Sequence, residues 1–248
     1  MSAKHSHTFL LLSLVGWMMA SCTLARPSIA FLFEGSASPD QSHTLAEFPL
    51  SKGTIWVYSY TEYEPTTTNP TQITKAAYLF TETILGTQSV PSYFIAHVQH
   101  EERLVKADPD WIYTESSRPK EFWYVVRGQQ VYESALPLDL TNIQTDTLLL
   151  AFDFPLVLGK SWCPSIYVKG EKIQDCTASG RRTVANQESY QTPAGDFKQC
   201  YKLTEDFNSG GVTRWLCNGI GVVAEKYDHA GTRFGFQETL ASFSRGSP

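Results

Sequence analysis

A chain of 248 residues is long enough for one large domain or two of ordinary size. Hydrophobic residues make up 42% and charged residues 18%, with 14 Phe, 12 Tyr and 6 Trp, a composition that supports an aromatic-rich core and excludes wholesale disorder. A net charge of −5, with no dense run of Lys or Arg, excludes a nucleic-acid-binding surface.

At the N-terminus, Lys4, His5 and His7 precede an apolar or small stretch from Phe9 to Ala20. A helix needs about 20 apolar residues to cross a bilayer, so this stretch reads as the core of a signal peptide. Its end, Met19-Ala20-Ser21-Cys22, resembles the bacterial lipobox, in which small residues precede a cysteine that takes a diacylglycerol thioether and becomes residue one. Met19 stands where Leu is usual, with similar size and polarity. The resemblance implies a signal peptide over 1–21 and a membrane anchor of palmitate-like chains on Cys22. Each buried methylene contributes about 0.8 kcal/mol, so two or three chains hold firmly. Two alternatives stay open: a secretory signal without lipid, and a signal anchor continuing into Ile29–Phe33 past Arg26 and Pro27. Cleavage before Cys22 removes Lys4 and no other charge, moving the net charge from −5 to −6.

Residues 22–46 are mostly small, polar and turn-forming, and read as a flexible tether. Within them Ile29-Ala30-Phe31-Leu32-Phe33 is apolar and suits docking on the domain or the membrane interface.

An internal repeat organises the remainder. Phe48-Pro49-Leu50-Ser51-Lys52-Gly53-Thr54-Ile55-Trp56 and Phe154-Pro155-Leu156-Val157-Leu158-Gly159-Lys160-Ser161-Trp162 share the frame F-P-L-x-x-G-x-x-W, 106 positions apart. Weaker correspondences follow in the same order: Thr83-Ile84 with Thr183-Val184, Pro91 with Pro193, and Trp123 with Trp215. The expectation is a duplication, with halves at 47–152 and 153–243.

Within the halves the hydrophobic period is two. Trp56, Tyr58, Tyr60 and Glu62 share one face of a strand. Further strands are expected at 74–85, 92–102, 121–127 and 129–135, then at 161–168, 172–176, 181–190, 196–205, 212–218, 221–228 and 232–243, with turn residues between them. Residues 145–152 suit either a short helix or a strand. The predicted class is all-β, with antiparallel sheets forming a curved half-barrel or a sandwich.

Thr192-Pro193-Ala194-Gly195-Asp196-Phe197, then Trp215, then Gly219-Ile220-Gly221-Val222-Val223 follow the F-P-L-x-x-G-x-x-W opening of the second half. This series resembles a pattern common in bacterial envelope lipoproteins of unassigned role, which read T-P-A-G-x-F and then G-V-G-x-V. The resemblance implies an antiparallel β-fold and an envelope location, and brings no catalytic residues. The glycines and prolines suit turns and bulges. No phosphate loop is indicated, because a strand rather than a helix follows Gly221.

An exported chain meets an oxidising compartment, where Cys163, Cys176, Cys200 and Cys217 tend to pair. The favoured bonds are Cys163 with Cys176 and Cys200 with Cys217, since each pair brackets a turn signal. A zinc site is the alternative, against which stands the lack of paired C-x-x-C spacing.

No catalytic, metal or cofactor constellation is indicated. His97 and His100, beside Glu101 and Glu102, face opposite sides of a strand and read as solvated. Asp108-Pro109-Asp110 reads as a turn rather than a calcium loop, no G-x-S-x-G elbow occurs, and Glu62 with Glu64 lacks an evident cleft. An enzyme would be marked by a cleft where carboxylates with raised pKa values converge. Aromatic binding surfaces remain, with Tyr58, Tyr60, Trp123 and Tyr124 as candidates. The expected function is a membrane-anchored, non-enzymatic binding or scaffolding component of the cell envelope, with an envelope protein as a possible partner. The alternatives are a carrier of lipid in an aromatic-lined cavity and a binder of cell-wall sugar.

Overall fold

The computed structural model describes residues 44–65, 72–109, 118–164, 166–168, 171–173, 176, 180–207, 210–229 and 234–247. Cys22, the signal segment 1–21, the tether as far as residue 43 with its Ile29–Phe33 run, and Asp110 lie outside the described residues.

The strands are β1 (Ile55–Pro65), β2 (Gln72–Val90), β3 (Tyr93–Ala107), β4 (Glu121–Arg127), β5 (Gln130–Ser134), β6 (Leu149–Asp153), β7 (Ser161–Trp162), β8 (Ile166–Val168), β9 (Glu171–Ile173), β10 (Arg181–Thr192), β11 (Gly195–Phe207), β12 (Gly210–Cys217), β13 (Gly221–His229) and β14 (Gly235–Ser244). The ambiguous stretch 145–152 is both things in turn: a 3-10 turn at Thr145–Thr147, then β6.

Twelve strands form one antiparallel sheet in the order β6-β5-β4-β3-β2-β1-β14-β13-β12-β11-β10-β7, and β8 and β9 form a separate hairpin. The sheet is therefore two six-strand meanders, β1 to β6 and β7 with β10 to β14, joined where β1 pairs with β14 from Ile55↔Ser244 to Tyr63↔Gly235. The sheet curls into a nearly closed barrel. At the remaining seam, between β6 and β7, a side chain stands in for the ladder. Arg182, opposite Trp162 on β10, donates from Nη1 to the Ala151 carbonyl at 2.8 Å and the Leu150 carbonyl at 3.4 Å.

The two F-P-L-x-x-G-x-x-W segments make the same hydrogen bonds. Gly53 N–H donates to Ile84 (2.8 Å), Ile84 N–H to Thr54 (2.9 Å) and Thr54 N–H to Ser51 (3.0 Å). Gly159, Val184 and Lys160 repeat this with Val184 (2.9 Å), Lys160 (2.9 Å) and Val157 (3.0 Å). Both glycines take a left-handed backbone, φ 79° and 80°, which explains the invariant position within the repeat. Phe48, Leu50 and Trp56, with Phe154, Leu156 and Trp162, are buried and plug one end of the barrel.

The chain enters the barrel at this plugged end. Thr44 Oγ1 donates to the Gly128 carbonyl in the β4–β5 turn at 3.1 Å, and Gly219 N–H, in the β12–β13 turn, donates to the Glu47 carbonyl at 2.7 Å. Gly221 holds φ +97° against the Phe48 ring, where a Cβ would lie 3.1 Å from Cε2.

Cys200 bonds to Cys217, one step beyond the Tyr201↔Leu216 pair of the β11–β12 ladder, with Cα atoms 4.2 Å apart. Cys163 bonds to Cys176 across the base of the β8–β9 hairpin, with Cα atoms 5.3 Å apart. Outside the barrel, the segment after β5 packs Leu138, Ile143 and Leu148 over Ile95, Val125 and Tyr132, so both faces of the sheet are covered there.

Candidate functional site

Alternation sends every second side chain inward, and each inward row is apolar with an isolated charged interruption. On β2 it runs Ala76, Tyr78, Phe80, Glu82, Ile84; on β3, Ala96, Val98, His100; on β14, Phe236, Glu238, Leu240. Glu133 on β5, Arg182 on β10, Glu205 on β11, Arg214 on β12 and Glu225 on β13 add to the same level. The result is a charged belt between apolar layers, around a cavity of about 250 Å³.

Phe48, Trp56 and Phe152 form the floor, Phe48 and Phe152 having ring centroids 5.2 Å apart. Arg118 and Pro119, from the β3–β4 connection, and Leu149, at the start of β6, supply the rim at the end opposite the plug. The Arg118 side chain is 29% exposed, against 5% for its partner Glu238.

The belt is cross-linked by guanidinium–carboxylate pairs. Arg118 grips Glu238 with both Nη atoms, Nη1 donating to Oε1 at 3.3 Å, and its guanidinium carbon lies 5.1 Å from the Phe80 ring centroid. Arg214 donates from Nε to Glu225 Oε2 at 2.6 Å and from Nη1 to Glu205 Oε2 at 3.0 Å. Arg182 Nε reaches the same Glu205 oxygen at 2.7 Å.

Burial and neighbours set the protonation of these groups. Burial pushes the Glu238 carboxyl up to about 7, helped by Glu225 and Glu82 against the pull of Arg118. Burial also raises the Glu133 carboxyl, and Glu82 raises it further. Burial acts upward on Glu225 too, but Arg214 and Arg118 outweigh it and hold that carboxyl below its usual range. Burial and nearby Arg214 lower the Arg182 guanidinium, against Glu205.

Several polar groups in the cavity are not satisfied. His100 is 5% exposed, and neither ring nitrogen has a hydrogen-bond partner among the described residues. Its Nδ1 lies 3.6 Å from Glu82 Oε1, beyond hydrogen-bonding distance. The Glu133 carboxylate, opposite Tyr124 in the β4–β5 ladder, makes no side-chain hydrogen bond or ion pair among the described residues, and Arg182, Arg214 and Arg118 act on it only from a distance. No group of three His, Cys, Asp or Glu converges as a metal site among the described residues.

Of the four aromatic candidates, Tyr58 and Tyr124 line the cavity, Tyr58 donating from its hydroxyl to the Val222 carbonyl at 3.0 Å. Tyr60 is buried beside it in an aromatic cluster, with centroids 4.5 Å from Phe80 and 5.2 Å from Phe236. Trp123 is outside the barrel, stacked on His97 at 4.9 Å. His97 and His100 do face opposite sides, but His100 is not solvated as expected: the face it occupies is the barrel interior. Asp108 pairs with Lys75 at 3.5 Å, and a bulge at Glu62/Tyr63 turns Tyr63 inward, so the Glu62 face does not continue along the strand.

The charged belt itself was missed by sequence reasoning. Its only signal is a lone charge in an alternating apolar row, as at Glu82 or Glu238.

Fold and site together define a nearly closed twelve-stranded antiparallel barrel with a charged interior cavity. No protein-family model and no curated protein matches the chain. Among solved structures, it is similar to a presumed lipoprotein from Parabacteroides distasonis, with 14% identity over 79% of this chain and 97% of that one and a TM-score of 0.45. It is also similar to a presumed exported protein with a YmcC-like fold from Bacteroides fragilis, with 15% identity over 80% and 98% and a TM-score of 0.43. A third similarity, to a presumed outer-membrane lipoprotein-sorting protein domain from Vibrio parahaemolyticus, has 5% identity over 82% and 89% and a TM-score of 0.23.

Proposed function

We propose that this chain is an extracytoplasmic lipoprotein, anchored to a bacterial membrane through diacylglycerol on Cys22, whose barrel is a non-enzymatic module that binds a small polar ligand in its interior. The observation that carries the binding assignment is the cavity of about 250 Å³ with the buried His100 in its wall, both of whose ring nitrogens lack a hydrogen-bond partner among the described residues. Buried polar groups without partners are costly, and a ligand with matching groups removes the cost.

The lipobox-like Met19-Ala20-Ser21-Cys22 supports the anchor, and two disulfides support an oxidising compartment. The described chain begins at Thr44 on the plugged end, opposite the rim at Arg118. The two matching six-strand meanders support an origin by duplication of 47–152 and 153–243, and the T-P-A-G-x-F and G-x-G-x-V segments support kinship with the envelope lipoproteins they resemble. A cavity of this size ringed by charge suits a compact polar molecule better than an acyl chain.

One observation favours a second reading. The Glu133 carboxyl, raised by burial and by Glu82, shares the cavity lining with His100, an arrangement suited to acid–base catalysis. Native mass spectrometry of the full chain, purified in detergent from an envelope extract, tests both. Binding predicts a stoichiometric small adduct that is released unchanged after incubation with the protein. Conversion of the adduct would establish catalysis, a phospholipid adduct would establish a lipid carrier, and a clean apo mass would overturn both readings of the cavity. Loss of membrane attachment in Cys22→Ala tests the anchor, and a variant that stays in the membrane fraction would overturn it.

A further inference from the structure

Three guanidinium–carboxylate pairs, Arg118 with Glu238, Arg182 with Glu205 and Arg214 with Glu225, compensate one another inside the barrel. Two more carboxylates, Glu82 and Glu133, share the cavity, so five carboxylates face three guanidiniums among the described residues. Glu82 lies 3.6 Å from His100 Nδ1 and 3.7 Å from Arg118 Nη1, at ion-pair rather than hydrogen-bond distance, and that guanidinium is already engaged by Glu238; the Glu133 carboxylate makes no hydrogen bond or ion pair among the described residues, and Arg182, Arg214 and Arg118 act on it only from a distance. The ladders fix both in place: Glu82 opposes His100 between β2 and β3, and Glu133 opposes Tyr124 between β4 and β5. The two surplus carboxylates repel each other, as the upward push of Glu82 on the Glu133 carboxyl shows, and a further cation in this partly apolar space relieves that repulsion.

We infer that the cavity binds a small organic cation, a primary ammonium on a compact apolar body, with the ammonium held by Glu82, Glu133 and His100. This rests on the reading of the barrel interior as a binding site. An ammonium has three donors and no acceptor, and these three side chains offer two carboxylates and an imidazole nitrogen. An anion would have to displace a carboxylate from a guanidinium already paired with it. The rest of the wall includes Phe48, Trp56 and Phe122, whose ring faces attract cations and cover apolar groups. A bare metal ion would leave most of about 250 Å³ unfilled. A body of about ten non-hydrogen atoms fits, given that a cavity of about 150 Å³ accepts benzene.

The test is calorimetric titration of the full chain in detergent at neutral pH with cyclohexylamine, cyclohexanol and cyclohexanecarboxylate, which share a ring and differ in the polar group. The expected result is one-site binding of the amine, at least about tenfold tighter than the other two, with about tenfold loss in Glu133→Gln and in Glu82→Gln. Cyclohexanol or the carboxylate binding as tightly as the amine would overturn the cation while leaving the binding site in place. Unchanged amine affinity in two folded Gln variants would move the ammonium elsewhere and also overturn the assignment. Failure of all three to bind would overturn the inference and count against the binding site as well. The wild-type comparison decides the matter even where a variant fails to fold.

Discussion

Trp56 and Trp162 hold matching places in the two meanders, yet Trp56 Nε1 donates to the Ile220 carbonyl at 2.6 Å while Trp162 Nε1 is buried with no acceptor among the described residues. Trp56 stands beside the seam closed by β1 and β14, and Trp162 beside the seam where β6 and β7 form no ladder. Replacing Trp56 with Phe leaves the partly buried Ile220 carbonyl without its donor, whereas replacing Trp162 with Phe removes an unsatisfied donor. Trp56→Phe should therefore cost about 1–3 kcal/mol more than Trp162→Phe, read from urea denaturation. Equal costs would mean that the second indole has a partner in solution.

Arg182 closes the open seam. Arg182→Met removes the donor to Leu150 and Ala151 and leaves Glu205 with Arg214 as its remaining cation. A loss of about 3 kcal/mol is expected, with faster hydrogen exchange along β6. Arg182→Lys should recover less than half of it, because an ammonium cannot reproduce the fork. Full recovery by Lys would show that charge alone suffices.

Glu238 makes stability depend on pH. Its carboxyl lies at about 7 in the folded chain against an ordinary 4.5, so the folded state binds the extra proton. The associated stability is fully present below 4.5 and is lost as pH rises toward 7. The loss across that window is about 3 kcal/mol. Glu238→Gln should flatten this part of the profile, measured by denaturation at pH 4.5, 6 and 8. A variant with the wild-type slope would assign the dependence to another group.

The two disulfides should differ in consequence. Cys200 and Cys217 are buried within the barrel and 17 positions apart, so a double Ala variant should lose about 3 kcal/mol in the cooperative transition. Cys163–Cys176 clips a hairpin that is separate from the main sheet, so its removal should shift the main transition by less than about 1 kcal/mol. Equal shifts would show that the hairpin folds as part of the barrel.

Strands, turns and the repeat were legible in the sequence because each rests on local geometry. Period-two patterning marks Ile55–Pro65 wherever the strand ends up, and a left-handed backbone at Gly53 and Gly159 demands glycine in both copies. The two disulfides join cysteines that bracket turn-forming residues, the local signal that favoured these bonds without excluding the other pairings. Alternation also showed that His97 and His100 face opposite sides, but it did not say which side was inside. That depends on β1 pairing with β14, which lie nearly the whole described chain apart, and on the segment after β5 covering the outer face at Val125. Only closure of the sheet brings Glu82, Arg118, Glu133, Arg214 and Glu238 to one level. A charge on a strand reads as solvated until the strand's two faces are distinguished, and in a barrel that distinction is made by curvature, to which residues far apart in the chain all contribute.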